Sequence, residues 1–134
     1  MEFMEKTRFG YLEPSGQMSG EGAPPLEVPP DAERELIRLP APDQIVVNPM
    51  DLRKAMEARR SIRRYSTNPV SIEELSFLLW CTQGVKRIVA GGATFRLVPS
   101  AGARHALETY LLINNVEGIL PGLYRYLALE HSLQ

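Results

Sequence analysis

The sequence has one cysteine, two histidines and one tryptophan among its 134 residues. A single thiol, Cys81, excludes an internal disulfide. His105 and His131 lie far apart, with no cysteine partner at ligand spacing, so no metal site is expected. No apolar run approaches the roughly 18 residues needed to cross a bilayer. Residues 1–16 lack the apolar stretch of a secretory signal, so the sequence predicts a cytoplasmic protein with no membrane partner. The formal charge of -1 gives no overall pull toward nucleic acid. A content of 44% hydrophobic and 23% charged residues is ordinary for a globular chain and excludes disordered and fibrous classes.

Proline and glycine are unevenly spread. Eight of the 11 prolines fall in the first fifty residues, with Gly10, Gly16, Gly20 and Gly22 among them. That density removes backbone donors and breaks regular structure, so residues 1–48 read as an irregular arm. Within it the pattern allows one or two helical turns over Ala32 to Leu39 and a short strand at Ile45 to Val47. An arm this long is either disordered or laid over another surface, which in an oligomer includes that of a partner.

Regular structure is expected over 49–134. Asn48-Pro49-Met50-Asp51 offers an Asn N-cap, a proline at the first helical position and an acid in the first turn. The helix it opens runs to about Arg59, with Leu52, Ala55 and Met56 as its buried stripe. A second helix opens with the capping box Ser71-Ile72-Glu73-Glu74 and runs to about Thr82, where Gly84 stops it. Leu75, Leu78, Leu79 and Trp80 make it a central element, with Cys81 a small core residue. After Gly91-Gly92 the pattern turns to strands over Thr94 to Val98, Leu107 to Asn114 and Gly122 to Leu127, Gly118 and Pro121 marking the last turn. Tyr124 and Tyr126 alternate on the last strand as packing residues.

Six of the 15 basic residues (Arg53, Lys54, Arg59, Arg60, Arg63 and Arg64) crowd into twelve positions, with Glu57 the only acid. A solvated helix end accounts for such a cluster, because cations are favoured at a helix C-terminus. Arg59-Arg60-Ser61-Ile62-Arg63 offers more. In an extended segment Arg59, Ser61 and Arg63 share a face, and two guanidinium forks with a hydroxyl suit a phosphate. Arg-x-Ser-x-Arg directly after the first helix of a domain is similar to the FMN-phosphate motif of nitroreductases.

Downstream, Pro99-Ser100-Ala101-Gly102-Ala103-Arg104-His105 resembles the Pro-Ser-Ala-Gly stretch of SagB-type dehydrogenases, a branch of that superfamily. Glu108-Thr109-Tyr110 follows at the matching distance. Leu75 to Gly84 and Val116 to Tyr126 extend the likeness over 50–134. The resemblance implies an α+β, nitroreductase-like fold, an antiparallel sheet flanked by helices. It implies FMN as cofactor, with Arg59, Arg60, Ser61 and Arg63 at the phosphate and ribityl end. Pro99, Ser100, Ala101 and Gly102 would line the isoalloxazine, commonly across a dimer interface. Small residues there let main chain approach a planar ring, and the Ser100 hydroxyl is available to its polar edge. The implied activity passes electrons from a reduced nicotinamide through flavin to a small-molecule or peptide substrate. His105 either faces that substrate or is a structural histidine.

Domains of this kind normally continue beyond the region matched here. The expectation is a chain truncated at its C-terminus, acting as a homodimer or with a second chain that supplies the missing half. The alternative is a non-catalytic partner subunit that keeps the fold without using flavin.

Overall fold

The computed structural model describes residues 2–90 and 92–134. Among these the elements run α1 (Glu2–Lys6), β1 (Ile37–Arg38), α2 (Leu52–Ala58), α3 (Ile72–Gln83), β2 (Val85–Val89), β3 (Ala93–Arg96), β4 (Thr109–Ile113), β5 (Gly122–Leu127) and β6 (Ser132–Leu133). Short 3-10 turns lie at Phe9–Tyr11, Pro42–Gln44 and Ala101–Ala103.

The capping box forms as the sequence predicts. Glu74 N–H donates to Ser71 Oγ at 3.1 Å, and Ser71 N–H donates to Glu74 Oε2 at 3.0 Å. At the other end Gly84 N–H reaches Trp80 O at 2.7 Å. A Cβ on Gly84 would collide with the Trp80 ring and carbonyl, so the helix closes where only glycine fits. Its buried face is Leu75, Ser76 and Leu79, three and four residues apart. Leu78 is exposed, and so is Cys81, against the expectation of a core thiol: both point off that face.

Strands β1, β6, β5 and β4 form, in that order, an antiparallel sheet, and β2 pairs with β3 as a separate hairpin. Its second strand matches the expected Thr94 to Val98, whereas β2 was not anticipated. Lys86 and Arg87 interrupt the apolar pattern of β2, and a register shift follows Val85; the Arg87 guanidinium lies 5.0 Å from the Phe95 ring centroid. In the main sheet Leu111 opposes Tyr124 and Thr109 opposes Tyr126. This face, with Ile113 and Leu133, meets Leu75 and Leu79 of α3 in the core. The other face carries the Leu112–Leu123 pair, 72% and 68% exposed.

Four local expectations are corrected. Ala32 to Leu39 is not helical; Ile37–Arg38 is instead an edge strand on β6, a pairing whose distant partner local propensity does not reveal. Ile45 to Val47 finds no strand partner and stays irregular. The cap of α2 is Asp51 rather than Asn48, because the Asp51 carboxylate accepts Lys54 N–H at 3.0 Å while its own backbone is extended. Leu52 and Met56, expected to be buried, are 74% and 70% exposed.

The arm lies over its own sheet. Ala128 N–H donates to Glu27 Oε1 at 2.6 Å, and Arg125 donates to Pro29 O at 2.9 Å. Asp31 and Gln134 exchange two bonds of 2.7 Å. Further on, Ser76 Oγ lies 2.7 Å from both Pro40 O and His131 Nε2, and Tyr126 Oη lies 2.7 Å from His131 Nδ1. The carbonyl can only accept, which orders the chain: Ser76 donates to Pro40, His131 Nε2–H donates to Ser76, and Tyr126 donates to Nδ1. The neutral imidazole therefore ties the arm, α3 and the β5–β6 turn together. Burial lowers the pKa of His131, a backbone bond to Pro40 opposing it in part. Burial and then the Glu27 charge push the Tyr126 phenol up to about 12.

Candidate functional site

The two segments singled out by the sequence occupy different surroundings. After α2, Arg59 turns to extended backbone at φ -60° and ψ 125°, its N–H reaching Ala55 O at 3.1 Å. Residues 59–66 then run without regular structure, and Arg59, Arg60, Ser61 and Arg63 are all exposed. Glu57, the one acid nearby, is bonded to Arg53 at 2.9 Å. Among the described residues no carboxylate pairs with Arg59, Arg60, Arg63 or Arg64. Their guanidinium donors are open to an anion.

Pro99 to Gly102 leads from β3 into the 3-10 turn at Ala101–Ala103. Gly102 takes φ 61°, and the two non-glycine residues Ala103 and His105 follow at φ 54° and 46°. Such left-handed conformations cost roughly 1–3 kcal/mol each outside glycine and persist only where neighbours enforce them. Here Ser100 does much of that: its carbonyl accepts Ala103 N–H at 3.1 Å, and its Oγ accepts His105 N–H at 2.9 Å. The Ser100 hydroxyl keeps a single proton to donate outward. Pro99, Ala101 and Gly102 are exposed, and a Cβ on Gly102 would meet nothing nearer than the Arg104 stem at 3.7 Å. A planar ligand has access to this turn. Among the described residues no hydrogen bond joins it to the basic segment.

The sequence did not disclose what the arm does beside this turn. Val28 N–H donates to Glu108 Oε1 at 2.9 Å, and Arg104 reaches Gln17 at 3.4 Å. Between the arm and residues 104–108 lies an open cavity of about 920 Å³, with Pro24, Leu26, Glu27, Arg104, His105 and Glu108 in its walls. Burial raises the pKa of Glu27, backbone donors from Ala128 and Leu129 pull it down, and the Glu108 charge adds to the rise. His105 is lowered by burial and then by the Arg96 charge, a backbone bond to Thr94 opposing both. Partners 80 positions apart, such as Val28 and Glu108, leave no periodic signal in a sequence. Among the described residues, no group of three or more His, Cys, Asp and Glu side chains is placed to hold a metal ion. No helix there is long and apolar enough to cross a membrane.

Residues 56–134 match the model of the nitroreductase family. A curated protein of Methanocaldococcus jannaschii, provisionally named a nitroreductase, is 34% identical over 87 residues, 65% of this chain and 42% of that protein. A crystal structure of a Ralstonia eutropha protein, also provisionally named a nitroreductase, superposes with a TM-score of 0.58 at 31% identity. That superposition covers 85% of this chain and 49% of the other. The chain thus spans less than half the length of either relative. With more than half of its residues matched by the family model, the chain belongs to the nitroreductase family.

Proposed function

We propose that this chain is part of an FMN-dependent oxidoreductase of the SagB type. Arg59, Ser61 and Arg63, with Arg60 beside them, hold the phosphate and ribityl end. Pro99, Ser100, Ala101 and Gly102 lie against the ring. The observation that carries the reading is the set of exposed arginines with no carboxylate partner among the described residues, in a stretch whose Arg-x-Ser-x-Arg order resembles a phosphate motif. Guanidinium forks bind phosphate oxygens in pairs, and each charge-assisted bond is stronger than a neutral one. When bound, FMN would supply the hydride chemistry, taking reducing equivalents from a nicotinamide for a small-molecule or peptide acceptor. The chain supplies position and charge, and no side chain need act as a nucleophile.

The same reading has the phosphate segment and the ring segment serve one flavin from different subunits, of a homodimer or of a complex with a second chain. Two observations support it. Among the described residues the segments share no hydrogen bond, and the chain exposes 11202 Å². A compact protein of 15.0 kDa exposes roughly 7000 Å², so much of this surface suits a partner. That excess also favours a second reading, a half-site subunit that lends its surface without using flavin.

The visible spectrum of the purified, untagged protein, taken after FMN is added and the sample desalted, separates the two. Retained flavin bands support the enzyme reading; a colourless protein supports the half-site subunit. In the flavoprotein, Arg63→Glu should weaken FMN binding roughly 10- to 100-fold, the value of one lost charged hydrogen bond, with the melting temperature unchanged. Undiminished affinity would remove the phosphate assignment.

A further inference from the structure

The left-handed residues at 102, 103 and 105, with right-handed Arg104 among them, are unusual in their composition. Glycine adopts such angles freely, yet only Gly102 of the three positive-φ residues is glycine. Ala103 and His105 must be held there by something outside themselves. Ser100 is placed to do so twice, through its carbonyl to Ala103 N–H and through its hydroxyl oxygen to His105 N–H. Ser100 itself is extended, at φ -147° and ψ 141°, and pays no such strain. The Arg104 N–H bond to Ala101 O, at 3.4 Å, is the longest of the three and the weakest brace.

We propose that Ser100 acts as a positioning residue: its hydroxyl, through His105 N–H, fixes the left-handed angle at His105 and with it the course of residues 102–105 that the turn offers to a planar ligand. The inference rests on the flavin reading for the identity of that ligand and on the turn's own geometry for the rest. It differs from a role in which the Ser100 hydroxyl serves only the ring, because that oxygen already accepts His105 N–H inside the turn.

Two measurements test it separately. In the flavin-free protein, Ser100→Ala should speed hydrogen exchange at the His105 amide about tenfold, while Ser100→Thr, which keeps the hydroxyl and suits extended backbone, should leave it within twofold. Unchanged exchange in Ser100→Ala would overturn the positioning role whatever the ligand. In the flavin titration, Ser100→Ala should raise the dissociation constant about three- to tenfold, the range of one neutral hydrogen bond. Adding His105→Gly to Ser100→Ala lets position 105 take its angle without strain and should recover most of that loss. A loss with no recovery would assign the hydroxyl to the ligand directly and overturn the proposal. Failure of the unaltered chain to take FMN would sink the flavin reading alone, since the amide exchange still decides the role of Ser100.

Discussion

The helices α2 and α3 are written in the same grammar and meet different fates. Each opens on a side-chain cap, Asp51 in one and Ser71 in the other, and each carries apolar residues three and four apart. In α3 that stripe is buried under the sheet, with Leu79 only 5% exposed, whereas Leu52 of α2 is 74% exposed. Periodicity therefore specifies that a helix has an apolar face, but not that its own chain covers it. The uncovered helix is the one that ends in the arginine segment, which agrees with a site completed by another chain.

The sharpest way to break this comparison is truncation in both helices. Leu79→Ala should cost about 2–5 kcal/mol in urea unfolding, the usual loss for a buried leucine. Leu52→Ala and Met56→Ala should each stay within roughly 0.5 kcal/mol. Costs at α2 that approach the α3 value would mean that its stripe is covered in solution.

A smaller effect separates the two regions by pH. With its pKa lowered in the fold, His131 makes the unfolded chain the better proton binder between that value and about 6.5. Its contribution is fully present above pH 6.5, is lost as the pH falls through that window, and levels off below the folded value. Glu27, raised in the fold, works the other way: its contribution is present below 4.5 and is lost as the pH rises through its folded value. The unfolding midpoint should therefore fall on acidification in a Glu27→Gln background, and His131→Asn should flatten that slope. α2 carries no histidine and should keep its helical content throughout. A slope that survives His131→Asn would remove the histidine from this role.

The smallest difference is expected at the caps. Ser71→Ala should cost about 1 kcal/mol of global stability. Asp51→Ala should fray α2, seen as faster amide exchange there, with little change in the global midpoint, because α2 buries none of its residues. Equal global costs would show that α2 folds as one unit with the sheet.

Features that depend on neighbours in sequence were legible. The Ser71–Glu74 box lies within four residues, and the strand Gly122–Leu127 is bounded by its own turn signals. The two motif segments pointed to the family that the matched region bears out. Their roles as binding residues rest on that likeness and stay proposals. What escaped depended on partners far along the chain or on backbone angles. Ile37–Arg38 is too short to show alternation, and its strand character comes only from β6. Ala103 and His105 are not residues that announce a left-handed turn, since the cause lies in Ser100. Ser76, a polar residue in an apolar helix, is fully buried because Pro40 and His131 satisfy its hydroxyl.

The seam between the arm and the sheet also orders the events of folding. The β4–β5 and β2–β3 hairpins close over a few residues each, whereas the bond from Asp31 to Gln134 spans 103 positions. Closing so long a loop costs entropy that only a preformed surface returns. The hairpins and α3 are therefore expected to assemble first and present a finished edge on which β1 docks last. On a ribosome the arm would emerge before β5 and β6 and wait unpaired until the segment that receives it is made.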